Sequence, residues 1–307
     1  MGDIIELGLQ RRSETTLLDL VDDFLAAVDL SENTPRAYRA SLEAFADDVG
    51  HRRLDSIGRA TIERHLRERY AGRAPATVNR HLAAISAMFG WAAEIGILEA
   101  SPAAGIRRRR QPRSARSERQ GRPIPLDELQ ALFEHRDHLV RDRVLWRLLY
   151  DSAARAREVL NLNIEDIDFA KKRATVIGKG GGVETIQWST DTARVFPAVL
   201  RWHHLRRESG PVFLSSRKLR GPSARDVCAL TGRPRLSYNR ASEIFKTASR
   251  GRTLHQLRHS RLPHLAESGV DATILRAISR HASLRTLDRY VNPSAETVAA
   301  VLDEHAS

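Results

Sequence analysis

The chain has 307 residues, enough for two domains that each bury a core, and 41% of them are hydrophobic, as in ordinary globular proteins. Its net charge of +12 favours a polyanionic partner, with nucleic acid ahead of an anionic membrane surface. The single cysteine, Cys228, excludes an intramolecular disulfide and a cysteine-rich zinc site, and no apolar run approaches the roughly 20 residues of a membrane span.

The N-terminal part of the chain shows the periodicity of amphipathic helices. Its opening stretch, MGDIIELGLQRR, lacks the apolar segment of a secretory signal, which predicts a cytoplasmic protein. In the second helical stretch, Thr34 is the predicted cap and Pro35 the first helical residue. Apolar residues at i, i+3 and i+4 predict helices at residues 16–28, 34–49, 60–70 and 76–95, a small bundle that indicates no particular function.

A strongly basic segment follows this bundle. Residues 107–123, RRRRQPRSARSERQGRP, hold eight arginines, one glutamate and two prolines, with no apolar side chain larger than alanine. Such a segment builds no core, so it is predicted to be an extended linker. It is either a flexible solvated joint or a basic strap along a phosphate backbone. The arginines that would bind phosphate are Arg107, Arg108, Arg109, Arg110, Arg113 and Arg116.

After the linker the helical pattern returns, with one interruption. In RATVIGKGGGVETIQW, residues 173–188, two β-type runs flank a glycine turn, which predicts a hairpin with Lys179 at its tip. The predicted fold class is therefore mainly α with a small β-hairpin. Helices are predicted at residues 191–207, 238–249, 255–268, 271–279, 283–290 and 294–304.

Two pairs of polar residues stand three positions apart and are predicted to share a helix face. They are Arg155 with Glu158, in YDSAARAREVLNL, and His255 with Arg258, in LHQLRHS. Each pair alone is weak evidence, because an exposed ion pair or a solvated basic face explains it equally well.

The remaining candidates are also individually weak. Lys179 is compatible with a solvated turn, and His281 with a structural histidine. Tyr290 follows His281 by nine positions in SRHASLRTLDRY, and its ring would also suit a small core.

Together these residues match the requirements of phosphodiester cleavage by a side chain. Cations must bind the non-bridging oxygens, where negative charge develops in the transition state. A tyrosine hydroxyl, with a pKa near ~10, becomes a nucleophile when adjacent cations favour the phenolate. A general acid must protonate the leaving 5′ oxygen. The candidates are Arg155 and Arg258 for the oxygens, Tyr290 as nucleophile, Lys179 as general acid, His255 for the nucleophile's proton and His281 as a further hydrogen-bond donor.

In order and spacing these motifs resemble the tyrosine recombinases, or phage integrase family, in particular the two-domain Xer-type members, over about residues 14–305. YDSAARAREVLNL resembles the arginine box, VIGKGGGVETI the lysine box, HQLRHS the H-x-x-R box and SRHASLRTLDRY the closing box. Two positions depart from the family pattern, because Ala153 and Arg280 stand where glycine is usual. The resemblance makes Arg155, Lys179, His255, Arg258, His281 and Tyr290 catalytic, with Glu158 as supporting acid.

The resemblance also implies an architecture and a reaction. It implies a helical, SAM-like core-binding domain at residues 14–105, a basic linker at 106–122 and an α+β catalytic domain at 123–307, together a C-shaped clamp on DNA. The implied reaction is site-specific recombination, as in integration, excision or resolution, through a 3′-phosphotyrosyl intermediate without metal, ATP or another cofactor. The implied assembly is a homotetramer on DNA, or a heterotetramer with a related recombinase, together with any accessory directionality factor. The helix at 294–304 docks onto its own domain or onto a neighbouring protomer.

Three other interpretations remain open at this stage. A type IB topoisomerase uses similar chemistry as a monomer without strand exchange. A catalytically silent DNA-binding protein of the same fold is disfavoured by the complete set of candidate residues. An RNA-binding protein fits the charge, but the sequence contains no motif of the RRM or KH type.

Overall fold

The computed structural model describes residues 16–28, 34–110, 122–178, 180–202, 205–218 and 226–280. The chain divides into two compact units, Met1–Arg116 and Ser117–Ser307. In the described ranges, every helix is too short or too polar to cross a bilayer.

In the described residues of the first unit, four α-helices form a bundle and match the predicted ones. Its core contains fully buried aromatic rings, among them Phe45 and Phe89, whose centroids lie 6.2 Å apart edge to face. The second helix begins at Thr34 itself, so Thr34 belongs to the helix. The helices are α1 (Leu17–Ala27), α2 (Thr34–Val49), α3 (Arg59–Glu68) and α4 (Pro75–Glu94).

The second unit combines helices with small antiparallel sheets. Strand order in the largest sheet is β1-β2-β3, and the predicted hairpin is confirmed, with Val176 opposite Glu184. The strands are β1 (Ile167–Asp168), β2 (Arg173–Ile177), β3 (Val183–Gln187), β4 (Arg201–Trp202), β5 (Leu205–Arg206), β6 (Val227–Cys228) and β7 (Arg233–Pro234). The helices are α5 (Leu126–Glu134), α6 (Val140–Asp151), α7 (Ala156–Leu160), α8 (Thr190–Val195), α9 (Tyr238–Ala248), α10 (Leu254–Glu267) and α11 (Ala272–Ser279).

One predicted helix, at residues 191–207, is wrong. Helix α8 ends at Val195, and the chain continues as a 3₁₀ turn, Phe196–Leu200, before it enters the β4–β5 pair. Pro197 lacks the N–H that an α-helix needs at this point. The buried Arg207 then holds the returning chain through hydrogen bonds to the carbonyls of Val199 (2.8 Å) and Val212 (2.7 Å).

The core of the second unit positions the segments that carry the candidate residues. Helix α10 packs against α6, and the chain leaves α6 directly into the arginine box. Trp146, on α6, is 1% exposed and packs edge to face on Phe245 of α9, with ring centroids 5.4 Å apart. The apolar packing of α6, α9 and α10 therefore brings the arginine box and the H-x-x-R box into one region.

Candidate active site

Arg155 lies at the start of α7 and not on an open helix face. Its backbone is extended (φ −74°, ψ 141°), and its N–H donates to Glu158 Oε2 at 3.0 Å. Its Nη1 donates to Glu158 Oε1 at 2.6 Å. The Glu158 side chain is only 4% exposed while that of Arg155 is 35% exposed, so the interpretation as an exposed ion pair is wrong for the carboxylate. A buried acid thus fixes a cation that still reaches solvent.

Glu158 keeps its negative charge despite its burial. Burial raises the pKa of the Glu158 carboxyl, but hydrogen bonds from Arg155 and from Arg280 outweigh it and hold that pKa below its usual range. Buried carboxylates persist only when they are paired in this way. The charge that orients Arg155 is therefore present at neutral pH.

Arg258, on α10, links two distant segments of backbone. The residue is 3% exposed. Its Nη1 donates to the carbonyl of Ala153 and its Nη2 to the carbonyl of Ser279 at 2.5 Å. These acceptors lie two residues before Arg155 and two residues before His281, so one guanidinium joins the arginine box to the beginning of the closing box.

Both departures from the family's glycine pattern adopt a left-handed backbone. Ala153 has φ +47° and Arg280 has φ +51°. This region favours glycine, and a residue with a Cβ pays about 1–2 kcal/mol to enter it. The Ala153 methyl group is fully buried in a small cluster with Leu262, which compensates for part of that cost.

His255 stands one turn before Arg258 on the same helix, with an exposed ring that meets the His259 ring edge to face at 4.2 Å. Burial lowers the pKa of His255, and the cations Arg258 and Arg155 lower it further. Burial and the two cations act in the same direction, so the His255 imidazole is neutral at pH 7. A neutral imidazole at pH 7 is able to accept a proton.

Arg280 and Glu184 form a part of the site that the sequence analysis missed. The sequence motifs indicate Arg280 only as a departure from the usual glycine, and they give Glu184 no role. The Arg280 Nη2 donates to Glu158 Oε2 at 2.5 Å and its Nη1 to Glu184 Oε2 at 2.7 Å. No local signal reveals these partners, because they lie 122 and 96 positions away along the chain.

The structure thus brings together Arg155, Glu158, His255 and Arg258. Lys179, His281 and Tyr290 lie outside the described residues, as do Arg113 and Arg116 and the helices predicted at 283–290 and 294–304.

The described linker arginines, at 107–110, are exposed and belong to no helix or strand. Arg109 is anchored to α4, because its N–H donates to Asn79 Oδ1 at 2.7 Å and its carbonyl accepts from Asn79 Nδ2 at 2.8 Å. The Arg109 guanidinium also donates to the Leu66 carbonyl at 3.4 Å. Arg109 is therefore partly committed to its own unit, whereas Arg107, Arg108 and Arg110 present exposed side chains.

Comparison with known proteins matches both parts of the chain. The model of the phage integrase family matches residues 123–297, more than half of the chain, and that of the phage integrase N-terminal SAM-like domain matches residues 10–96. Tyrosine recombinase XerC of Mycobacterium tuberculosis (strain ATCC 25177 / H37Ra) is 29% identical over 306 residues, covering 93% of this chain and 96% of that protein. Tyrosine recombinase XerC of Mycobacterium leprae (strain TN) is 29% identical over 305 residues, covering 94% and 98%.

Solved structures share the fold at lower identity. A lambda integrase dimer bound to a COC′ core site has a TM-score of 0.69 and 15% identity, covering 91% of this chain and 95% of that one. The Tn1549 transposon integrase in complex with circular intermediate DNA has a TM-score of 0.67 and 16% identity, covering 94% and 99%. The mostly helical architecture with small sheets is therefore that of these integrases.

The carbonyl contacts of Arg258 predict a specific loss of stability in Arg258→Lys. A lysine ammonium lacks the planar fork that reaches two separate carbonyls, so one buried carbonyl loses its partner. We expect the free energy of unfolding in urea to fall by about 1–3 kcal/mol. The control is Arg261→Lys on the same helix, whose side chain is 25% exposed and pairs with Asp151 at 3.8 Å, with an expected loss below about 1 kcal/mol. Equal losses in the two variants would contradict this role of Arg258.

The lowered pKa of His255 predicts how the effect of His255→Gln depends on pH. The unfolded chain takes up a proton below the ordinary value of 6.5, whereas the folded chain keeps this ring neutral to lower pH. The folded state therefore loses stability as pH falls below that value, and the variant does not share this loss. We expect the unfolding free energy of the parent chain, relative to His255→Gln, to decrease between about pH 7 and about pH 5. A difference that is constant with pH would contradict the prediction.

Proposed function

The chain belongs to the phage integrase family, and from this membership we infer that it is a site-specific DNA recombinase of the tyrosine class. It binds duplex DNA and catalyses strand cleavage and rejoining. The observation that supports this function best is the proximity of two arginines to a neutral histidine: the charges of Arg258 and Arg155 both lower the pKa of His255. The buried Glu158 carboxylate holds Arg155 in place. Arginine cations suit the non-bridging oxygens of a phosphodiester substrate.

We propose a role in strand cleavage for each candidate residue. Arg155 and Arg258 bind the non-bridging oxygens of the scissile phosphate, and His255 accepts the proton of the attacking hydroxyl. The Tyr290 oxygen forms a bond to phosphorus while the bond from phosphorus to the 5′ oxygen breaks. Lys179 gives its proton to that 5′ oxygen.

The product of this step is a 3′-phosphotyrosyl ester with a free 5′ hydroxyl. His281 donates a further hydrogen bond to the phosphate. Attack by the 5′ hydroxyl of a partner strand reverses the step and restores the tyrosine. The ester keeps the bond energy, so the cycle needs no ATP.

The relatives that align over nearly their full length are tyrosine recombinases. Strand exchange between two duplexes is therefore favoured over the alternative, in which a single topoisomerase-like protomer relaxes one duplex. We propose that the protein works as a tetramer on DNA, in the cytoplasm, with a helix at 294–304 docking between protomers. The domains we propose are 14–105 for core binding, 106–122 as linker and 123–307 for catalysis.

The nucleophile is tested with the full chain on nicked duplexes enriched from a random-sequence pool by covalent capture. The nick lets the cleaved end diffuse away, so a covalent adduct accumulates. Tyr290→Phe removes only the hydroxyl, and we expect it to bind DNA like the parent and form no adduct. Tyr238→Phe, whose ring is 39% exposed at the start of α9, is the matched control and should form the adduct normally. An adduct in Tyr290→Phe, or one mapped to Tyr238, would refute the assignment.

The linker arginines are proposed to lie on DNA phosphates. Because the Arg109 guanidinium contacts Leu66, the substitutions that test this are Arg107, Arg108, Arg110 and Arg113 to glutamine. Four lost phosphate contacts should weaken binding equally on two unrelated duplexes. The slope of log K against log salt should become shallower by about 3–4 units, at about 0.9 per contact. A slope equal to that of the parent would mean that the segment does not touch DNA.

A further inference from the structure

Arg280 occupies a position that an arginine enters only at a cost. It caps α11 with φ +51° and ψ +39°, the left-handed conformation in which helices usually end on glycine. Its side chain is largely buried, with 10% of its surface exposed, and it forms ion pairs with two carboxylates. The backbone conformation of Arg280 is unfavourable, so contacts of its side chain must compensate for it. The two ion pairs of the buried side chain are those contacts.

The two carboxylates belong to different elements of the second unit. Glu158 lies on α7 and accepts from Arg280 at 2.5 Å, while its other oxygen holds Arg155 at 2.6 Å. Glu184 lies on β3 and accepts from Arg280 at 2.7 Å. The charges thus alternate along the series Arg155–Glu158–Arg280–Glu184, which connects the arginine box to the hairpin.

Glu184 in turn lies against the turn of that hairpin. A Cβ added to Gly178 would sit 2.8 Å from Glu184 Cδ, so the absence of a side chain at Gly178 lets the carboxylate lie there. The Gly178 N–H donates to the Gly182 carbonyl at 2.8 Å and closes the turn. Gly178 is also the residue directly before Lys179 in the sequence.

Direct contact of Arg280 with DNA does not fit these observations. Both of its terminal nitrogens donate to carboxylates, whose negative charge offsets that of the guanidinium and would repel a phosphate. Arg258 differs in this respect, because its acceptors are neutral carbonyls and its positive charge is kept. A phosphate would have to displace Glu158, which also holds Arg155.

We propose that Arg280 is a positioning residue for strand cleavage. It fixes Glu158, and through it the guanidinium of Arg155, and it fixes Glu184, and through it the hairpin turn that precedes Lys179. This role rests on the proposed function. The Arg280 side chain thereby connects the start of the closing box to the arginine box and to the hairpin. A glycine at this position would make neither contact.

The main test is single-turnover cleavage of the captured nicked duplex by the full chain with Arg280→Gly. Glycine relieves the left-handed backbone while it removes the ion pairs, so the midpoint of thermal unfolding should change little. We expect DNA affinity to stay at the parent value and the cleavage rate to fall by about 10- to 100-fold, as expected for a misplaced reacting group. Arg276→Ala, which removes an exposed arginine from the same helix, is the matched control and should cleave like the parent.

A second substrate separates the two connections. When sulfur replaces the bridging 5′ oxygen, it leaves as a thiolate with a pKa near ~8.5 and needs no proton donor. Glu184→Gln and Gly178→Ala disturb only the hairpin connection, so their slower cleavage should recover on this substrate. Arg280→Gly should recover only in part, because Arg155 remains misplaced. Combining Arg280→Gly with Glu184→Gln should slow cleavage by less than the product of the separate effects.

The outcomes separate this role from the proposed function. If the parent chain forms no covalent adduct, the proposed function fails and this role fails with it. If the parent reacts but Arg280→Gly cleaves equally fast, only the positioning role is wrong. Equal deficits of Glu184→Gln on the oxygen and sulfur substrates would also overturn it, since they would exclude a connection to the proton donor.

Discussion

The candidate site depends on one buried guanidinium, that of Arg258, and on the two backbone carbonyls that it binds. These carbonyls belong to Ala153 and Ser279, in segments that are distant along the chain. An arginine fork has fixed geometry, and a buried carbonyl without a partner is costly, so the contact permits little variation in the separation of the two segments. Arg155 and Arg280 follow these carbonyls by two residues and one residue. Their positions are therefore set by backbone and not by exposed side chains.

Ala153 and Arg280 adopt a left-handed backbone conformation at two positions where the family usually has glycine. Each position is unfavourable for a residue with a Cβ, and each has a specific compensation. The Ala153 methyl packs with Leu262, and the Arg280 side chain pairs with Glu158 and Glu184. In this chain the left-handed backbone is accompanied by side-chain contacts, and these contacts connect separate elements.

Alternating charge accounts for the electrostatics of the site. Burial raises the pKa of Glu158, yet hydrogen bonds from its two arginine partners keep it ionised, and it orients both of them. Burial, together with the positive charges of Arg258 and Arg155, lowers the pKa of His255 and keeps its imidazole neutral. The inner charges of the site are paired, whereas Arg155 is partly exposed and presents a positive charge to solvent. This charge attracts an anionic substrate.

Much of this architecture follows from the sequence by itself. The four N-terminal helices, the hairpin around Gly178–Gly182 and helices α9 to α11 follow from local periodicity and turn residues, because backbone preferences act over a few neighbouring positions. The association of Arg155, His255 and Arg258 followed from the order of recognisable motifs. The end of the helix predicted at 191–207 is set by tertiary structure, because the buried Arg207 holds the returning chain. The ion pair between Arg280 and Glu184 is also a tertiary contact. Pairings of buried charge depend on which segments the apolar core brings together, and no spacing along the chain encodes that.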